Sequence, residues 1–198
     1  MSVSRETSRD LSAYVALITK WSSAINLLSR NDRAIVWERH IADAIQLSEV
    51  APAGVDWIDL GSGGGFPAVP VAIHRKGSDT CLTLVEADTR KAAFLRTVRR
   101  ELGLEYEVIN DRIEHLRTER FEVVTARALS SLHRLLDHHY DLVANNGLGL
   151  YPKGRTWHRE VEAARRTYEF DFQPITSVAG EGSIILKVEN VRRRADAG

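Results

Sequence analysis

The spacing of hydrophobic residues along this chain changes near residue 51. Before it, Leu11, Val15, Ile18 and Trp21 recur at three- and four-residue intervals, which predicts a helix over about residues 7–23. Ile35, Val36, Ile41, Ile45 and Leu47 predict a second helix over about residues 33–50. Beyond that point short apolar runs alternate with helical stretches. Residues 55–60 read as a buried strand ending in glycines, and 67–76 as a helix whose prolines stand in its first turn, where a missing N–H costs little. A strand at 81–85 is followed by a helix at 89–102 that Gly103 stops. Strands at 106–109 and 121–125, a helix at 132–144 and a fifth strand at 147–151 come next. A helix near 157–167 precedes two late strands, about 170–175 and 183–188.

Alternating strands and helices imply a parallel sheet covered on both faces and joined by right-handed crossovers. The last two strands have no evident helix between them, so the final one is expected to run antiparallel. The expected architecture is α/β: a seven-stranded, mostly parallel sheet formed by residues 51–198, with a helical extension, residues 1–50, packed on it. Ligands of such sheets bind at the carboxyl ends of the strands, at the switch point beside the first strand. The glycines fall there.

The segment Asp59-Leu60-Gly61-Ser62-Gly63-Gly64-Gly65-Phe66-Pro67 carries the most information. Glycines at a strand-to-helix turn permit positive φ and let a ligand approach backbone without meeting a Cβ. A dinucleotide fingerprint needs a third glycine where Phe66 stands. The acid-x-Gly-x-Gly-x-Gly spacing instead resembles the first motif of Rossmann-like methyltransferases. Glu86 directly follows the next apolar run, roughly 20 residues beyond the loop, where an acid can accept both ribose hydroxyls of a nucleoside. Asp88 is the neighbouring candidate. The alternative is a structural turn and a solvated acid.

Over nearly its whole length the sequence resembles the RsmG (GidB) family of bacterial 16S rRNA guanine-N7 methyltransferases. Trp21-Ser22-Ser23-Ala24-Ile25-Asn26-Leu27 is similar to the family's Trp-Asn-x-x-Ile-Asn-Leu-Thr, and Arg39-His40-Ile41-Ala42-Asp43-Ala44 to its Arg-His-x-x-Asp-Ser. The glycine loop running into Phe66-Pro67, then Val85-Glu86, Ala126-Arg127-Ala128 and Lys153-Gly154, complete the order. The resemblance implies a class I, Rossmann-like fold, S-adenosylmethionine as cofactor, and 16S rRNA as partner, in the small ribosomal subunit or an assembly intermediate. It implies cofactor contacts at Gly61 and Phe66, with Ile113 and Glu114 along the adenine; the glycine loop and the strand-end acid add Asp59, Ser62, Gly63, Gly65 and Glu86 as expected contacts. Arg127 is implied at the methyl-transfer pocket, touching cofactor as well. Asp111-Arg112-Ile113-Glu114 also reads as a simple helix start with an Asp cap. Ser22, Leu28, Ala44, Ala68 and Asn145-Asn146-Gly147 depart from the family pattern without removing an implied cofactor contact.

Composition changes this picture little. The hydrophobic fraction, 43%, and the charged fraction, 27%, are those of an ordinary globular protein. Cys81 is the single cysteine, which excludes an internal disulfide and fits a reducing cytosol. No run reaches the roughly 18 apolar residues of a membrane helix, and the polar first residues lack a secretory signal. A cytoplasmic monomer is the expectation. Basic and acidic residues balance at 27 each, which weighs against a free-standing nucleic-acid binder but not against a local basic face. That balance also suits a small-molecule methyltransferase, the competing reading; a nucleotide-sensing protein without catalysis is a third.

Absences bear on the chemistry. Methylation at cytosine C5 needs a thiolate, and Cys81 precedes Glu86 inside a strand. Exocyclic amines are typically methylated over a polar-Pro-Pro-aromatic loop after the fourth strand, where this chain has Thr125-Ala126-Arg127-Ala128. Guanine N7 needs neither device, because its lone pair is already a nucleophile and it carries no proton to lose. Arg127 and Lys153 are therefore expected to position the acceptor without a general base. Arg39, His40, Arg96, Arg99 and Lys153 are candidate RNA contacts, although His40 and Asp43, one turn apart, read more simply as structural, and the basic helix as a solvated face. Arg192-Arg193-Arg194 is either a phosphate contact or a flexible tail. No metal site is expected.

Overall fold

The computed structural model describes residues 3–28, 35–116 and 120–195, and all side chains among them except those of residues 145 and 146. Helix α1 (Arg5–Trp21) opens the chain, with Ser4 as its N-cap accepting from the Thr7 amide. A π-helical turn (Trp37–Ile41) runs into α2 (Ala42–Val50). Then follow β1 (Asp56–Leu60), α3 (Ala68–His74), β2 (Cys81–Val85), α4 (Thr89–Leu102), β3 (Glu107–Ile109), a 3-10 turn (Ile113–His115) and β4 (Phe121–Ala126). The chain ends with α5 (Leu132–Leu142), β5 (Val143–Lys153), α6 (Trp157–Ala164), β6 (Tyr168–Thr176) and β7 (Ile184–Arg193). Residues 33 and 34 of the second expected helix, and the side chains of residues 145 and 146, lie outside the described residues.

The seven strands form one sheet in the order β3-β2-β1-β4-β5-β7-β6. Strands β1 to β5 pair in parallel, while β7 is antiparallel to both β5 and β6. Strand order reverses next to β1, so the β1–α3 turn lies at the switch point.

Side chains on successive strand positions go to opposite faces. Trp57, Leu84, Val123 and Leu150 pack with α1 to α4 on one face, and Ile58, Val85, Val124 and Tyr151 with α5 and α6 on the other. Leu11, Tyr14 and Ile18 of α1 are at most 1% exposed. They share one apolar cluster with Val69 of α3 and Leu95 of α4, so the N-terminal helices roof one face of the sheet. Asp88 caps α4 through the amides of Arg90 and Lys91, and Gly103 ends it at φ 57° in the left-handed region.

Two expectations are corrected. The fifth strand begins at Val143, and the preceding helix stops at Leu142, because residues 144–147 form an irregularity between the pairings Phe121↔Val143 and Val123↔Leu148. The polar, glycine-containing bulge hides the start of the strand from a pattern of apolar residues. Arg192 and Arg193 are no tail: they finish β7 opposite Glu169 and Tyr168, and Arg193 stands over the Tyr140 ring at 5.5 Å.

Candidate active site

At the carboxyl end of β1 the chain makes three positive-φ steps, Gly61 (68°), Gly63 (55°) and Gly65 (94°), which L side chains rarely adopt. The turn is tied down from three sides. Ser62 N–H donates to Val85 O at 2.9 Å, Gly65 N–H to Ser62 O at 2.6 Å, and the Tyr14 hydroxyl of α1 to Gly64 O at 2.6 Å. Glu86 completes it: Oε2 accepts Gly63 N–H and Oε1 accepts Asp88 N–H, each at 2.8 Å.

Above this loop lies a cleft of about 350 Å³. Gly61, Gly63 and Glu86 form its floor, Ile113 and Glu114 one wall, and Arg127 with Ala128 and Leu129 the other, with Lys91 also on its edge. A Cβ on Gly63 would meet nothing nearer than 3.8 Å, so only its backbone conformation demands glycine there. On Gly61 a Cβ would come within 2.7 Å of a Leu129 methyl.

Asp59, Ser62, Gly65 and Phe66 stand behind this surface rather than on it. A Cβ on Gly65 would lie 2.6 Å from Val69 Cγ2 and 3.1 Å from the Tyr14 hydroxyl, so this glycine serves close packing of loop on helices. The Phe66 ring packs against Tyr14 and His40, with centroids 5.3 and 4.9 Å apart. Asp59 is fully buried: Trp57 Nε1 donates to Thr125 Oγ1 at 3.0 Å, and that hydroxyl donates to Asp59 Oδ1 at 2.7 Å. Asp59 Oδ2 makes no hydrogen bond among the described residues. Burial pushes the carboxyl up to about 7, against the Ser62 and Thr125 hydroxyls and the Arg127 charge, with Glu86 adding to the rise.

Arg127 follows β4 and is shared between the cleft and a second cavity of about 290 Å³. Its side chain is 16% exposed; Nη2 donates to Arg39 O at 3.2 Å and Nη1 lies 3.9 Å from Asp43 Oδ2. Ala128 beside it adopts φ 53°. The second cavity is lined by Arg39, Asp43, Lys153, Glu160 and Ser177, among others, at the carboxyl ends of β4 and β5. Asp43 Oδ1 accepts the Ser177 hydroxyl. Burial raises the Asp43 pKa, opposed by Ser177 and Arg127.

Three basic candidates are engaged by the protein itself. Lys153 Nζ bonds Glu160 Oε2 at 2.8 Å and Ser130 O at 3.2 Å, and is 8% exposed; the same Glu160 oxygen accepts Leu132 N–H at 2.9 Å at the start of α5. Arg96 donates to Val108 O and Arg99 to Tyr106 O, tying α4 to β3. His40, 8% exposed, is packed against Phe66. Sequence reasoning missed Tyr14, Thr125, Leu129 and Ser177. Thr125 is revealed only by the sheet, which sets it in register with Asp59 on the neighbouring strand.

The site has parts that suit a nucleoside-bearing cofactor: glycine backbone lining a cleft, a carboxylate at the end of the next strand beside it, and a side wall formed by Ile113 and Glu114. Among the described residues, no group of acids, histidines and cysteines is arranged to hold a metal, and no helix is long and apolar enough to cross a membrane.

Comparison with known proteins agrees. The family profile GidB, rRNA small subunit methyltransferase G, matches residues 7–183. The chain is 44% identical over 195 residues to the ribosomal RNA small subunit methyltransferase G of Ruegeria sp. (strain TM1040), covering 98% of this chain and 95% of that protein. It is 41% identical over 197 residues to the protein of the same name from Brucella ovis, covering 98% and 92%. In fold it is similar to a SAM-dependent methyltransferase from Aquifex aeolicus (TM-score 0.63, 10% identity, 89% and 98% covered). It is also similar to M. jannaschii TYW2 in complex with AdoMet (TM-score 0.57, 14% identity, 87% and 80% covered). At such identities these two structures speak to the fold alone, which is the Rossmann-like methyltransferase fold. By sequence along nearly all of its length, the chain belongs to the rRNA small subunit methyltransferase G (GidB) family.

Proposed function

We propose that this protein transfers the methyl group of S-adenosylmethionine to N7 of a guanine in 16S rRNA. One observation carries the reading: the glycine-loop cleft and the second cavity meet at Arg127 and Ala128. A methyl donor and an acceptor base lying in the two would face each other across one residue. Residues 1–50 act in it as an extension that roofs residues 51–198 and brings Arg39 and Asp43 to the acceptor side.

S-adenosylmethionine supplies an electrophilic methyl on a sulfonium. Gly61 and Gly63 offer it backbone, and Glu86 accepts the ribose hydroxyls with the lone pairs that Gly63 and Asp88 leave over. Ile113 and Glu114 flank the adenine. The N7 lone pair forms the new bond to carbon, the carbon–sulfur bond breaks with its electrons passing to sulfur, and the positive charge ends on the base. No proton moves, so the protein's part is alignment, for which effective molarities are large. The buried position of His40 against Phe66 fits a structural role rather than that of a base. The acceptor is the small ribosomal subunit or an assembly intermediate, and the protein works as a cytoplasmic monomer.

The test is transfer of tritium from labelled S-adenosylmethionine to small ribosomal subunits, followed by borohydride reduction and aniline cleavage, which cut the RNA at N7-methylguanine. Label and cleavage at one guanine are expected. Label that resists this cleavage, or label found only in small molecules, would overturn the assignment.

A further inference from the structure

Asp43 has no part in the chemistry above, yet it is an awkward residue to bury for structure alone. It is 3% exposed, stands in the first turn of α2 at the edge of the second cavity, and keeps a carboxylate in a place that penalises charge. The Ser177 hydroxyl satisfies one lone pair of Oδ1. Arg127 Nη1, at 3.9 Å from Oδ2, is beyond hydrogen-bond distance. A carboxylate accepts at about four positions. The protein therefore orients this group without using up its capacity, on the wall of a cavity large enough for a purine.

We infer that Asp43 selects guanine, accepting N1–H and one N2–H of the acceptor base while Arg127 donates to O6; this rests on the methyl-transfer reading. The order of groups supports it. Around its rim, from the Watson–Crick edge to the Hoogsteen edge, guanine presents N2–H, N1–H, O6 and N7: two donors, an acceptor, then the nucleophile. Along the cavity the protein presents Asp43, Arg127 and the cofactor cleft: an acceptor, a donor, then the methyl source. Each matches its partner in sequence. Adenine and cytosine carry an acceptor where guanine has N1–H, and uracil has one N–H between two carbonyls, so guanine alone gives a carboxylate two adjacent donors.

The same contact favours the reaction. As N7 gains the methyl the purine becomes cationic, and its N1–H and N2–H become stronger donors. Their bonds to Asp43 strengthen between ground state and transition state, which is the condition for raising kcat as well as lowering KM.

The experiment uses small subunits reconstituted on 16S rRNA carrying guanine or inosine at the methylated position; inosine lacks only the N2 amine. Wild-type enzyme is expected to lose roughly ten- to hundredfold in single-turnover rate on inosine, the size of one hydrogen bond to a charged group. Asp43→Asn keeps the shape and is expected to fall by a similar factor on guanine, to be nearly indifferent between guanine and inosine, and to bind S-adenosylmethionine as before. Ser177→Ala, which frees the carboxylate to turn, is expected to show a smaller loss with reduced discrimination, and it serves if Asp43→Asn does not fold. Variants that still favour guanine as strongly as wild type, or a wild-type enzyme that treats both bases alike, would overturn the inference while leaving the methyl-transfer reading intact. A wild-type enzyme that labels no subunit would overturn both.

Discussion

Replacing Glu86 by Gln is the sharpest test of the cofactor cleft, and its size follows from the bonds Glu86 makes. Oε2 holds Gly63 N–H and Oε1 holds Asp88 N–H, both at 2.8 Å. A carboxylate offers acceptors on both atoms, so two lone pairs remain for the two ribose hydroxyls. An amide accepts on one atom only. Its nitrogen must face either Gly63 or Asp88, so Glu86→Gln loses one bond to the protein and weakens those to the ribose. A hydrogen bond to a charged group is worth about 1.5–3 kcal/mol, which is roughly a ten- to 150-fold loss of affinity. The glycine-loop amide should also cost the fold about 1–2 kcal/mol, or a few degrees in a chain of this size. Glu86→Ala is a poorer test, since it leaves two backbone N–H groups without their acceptor. Calorimetry with S-adenosylmethionine and S-adenosylhomocysteine measures the effect, and both affinities should fall together because the ribose is common to them. A loss confined to S-adenosylmethionine would refute the ribose role, and unchanged affinity for both would remove Glu86 from the site.

Two further outcomes follow from buried charge. Asp59, whose pKa rises from 3.8 to about 7 in the folded protein, contributes stability that is complete below about pH 4 and is lost as pH rises through 7, because the folded state holds the proton more tightly. Melting temperatures from pH 5 to 8.5 should therefore fall more steeply for the wild type than for Asp59→Asn, by an amount on the order of a few kcal/mol over the interval; parallel curves would contradict it. Lys153→Met breaks the 2.8 Å pair with Glu160, whose carboxylate also holds the first amide of α5. It should lower the melting temperature by several degrees, roughly 1–3 kcal/mol for a half-buried pair, while a salt titration of RNA binding keeps its slope; a reduced slope with unchanged melting would instead make Lys153 a phosphate contact.

The parallel strands were legible in the sequence because they are largely apolar on both faces and their breaks are glycines and caps. Helix α4 is the clearest instance: Asp88 and Gly103 mark both ends chemically. The start of β5 was not legible, since its first residues form a polar irregularity. The glycine loop was recognisable as a turn, but which glycine serves the ligand and which serves packing was not. Gly63 faces open space and Gly65 faces Val69 and Tyr14. That difference depends on α1, which lies some fifty residues earlier in the chain. Likewise Lys153, Arg96 and Arg99 have the composition of phosphate contacts, and only the fold reveals that Glu160, Val108 and Tyr106 take their hydrogen bonds. Spacing reports local geometry; partners across the sheet leave no periodic trace.

The charge balance takes on a different meaning once those partners are known. A protein that holds RNA mainly through phosphates needs many cations free to neutralise them. Here several basic side chains are drawn inward: besides Lys153, Arg96 and Arg99, Arg75 donates to the carbonyls of Ser48, Ala51 and Pro52, and Lys76 pairs with Asp10, whereas Arg9, Arg90 and Arg100 stay exposed. The second cavity is built jointly. The sheet contributes Arg127 and Lys153, and the loop between β6 and β7 contributes Ser177. The N-terminal helices contribute Asp43 and Arg39, and hold the glycine loop through Tyr14 as well. On the proposed reading the Rossmann-like sheet and its loop hold the methyl donor, and the roof that residues before β1 provide completes the acceptor side.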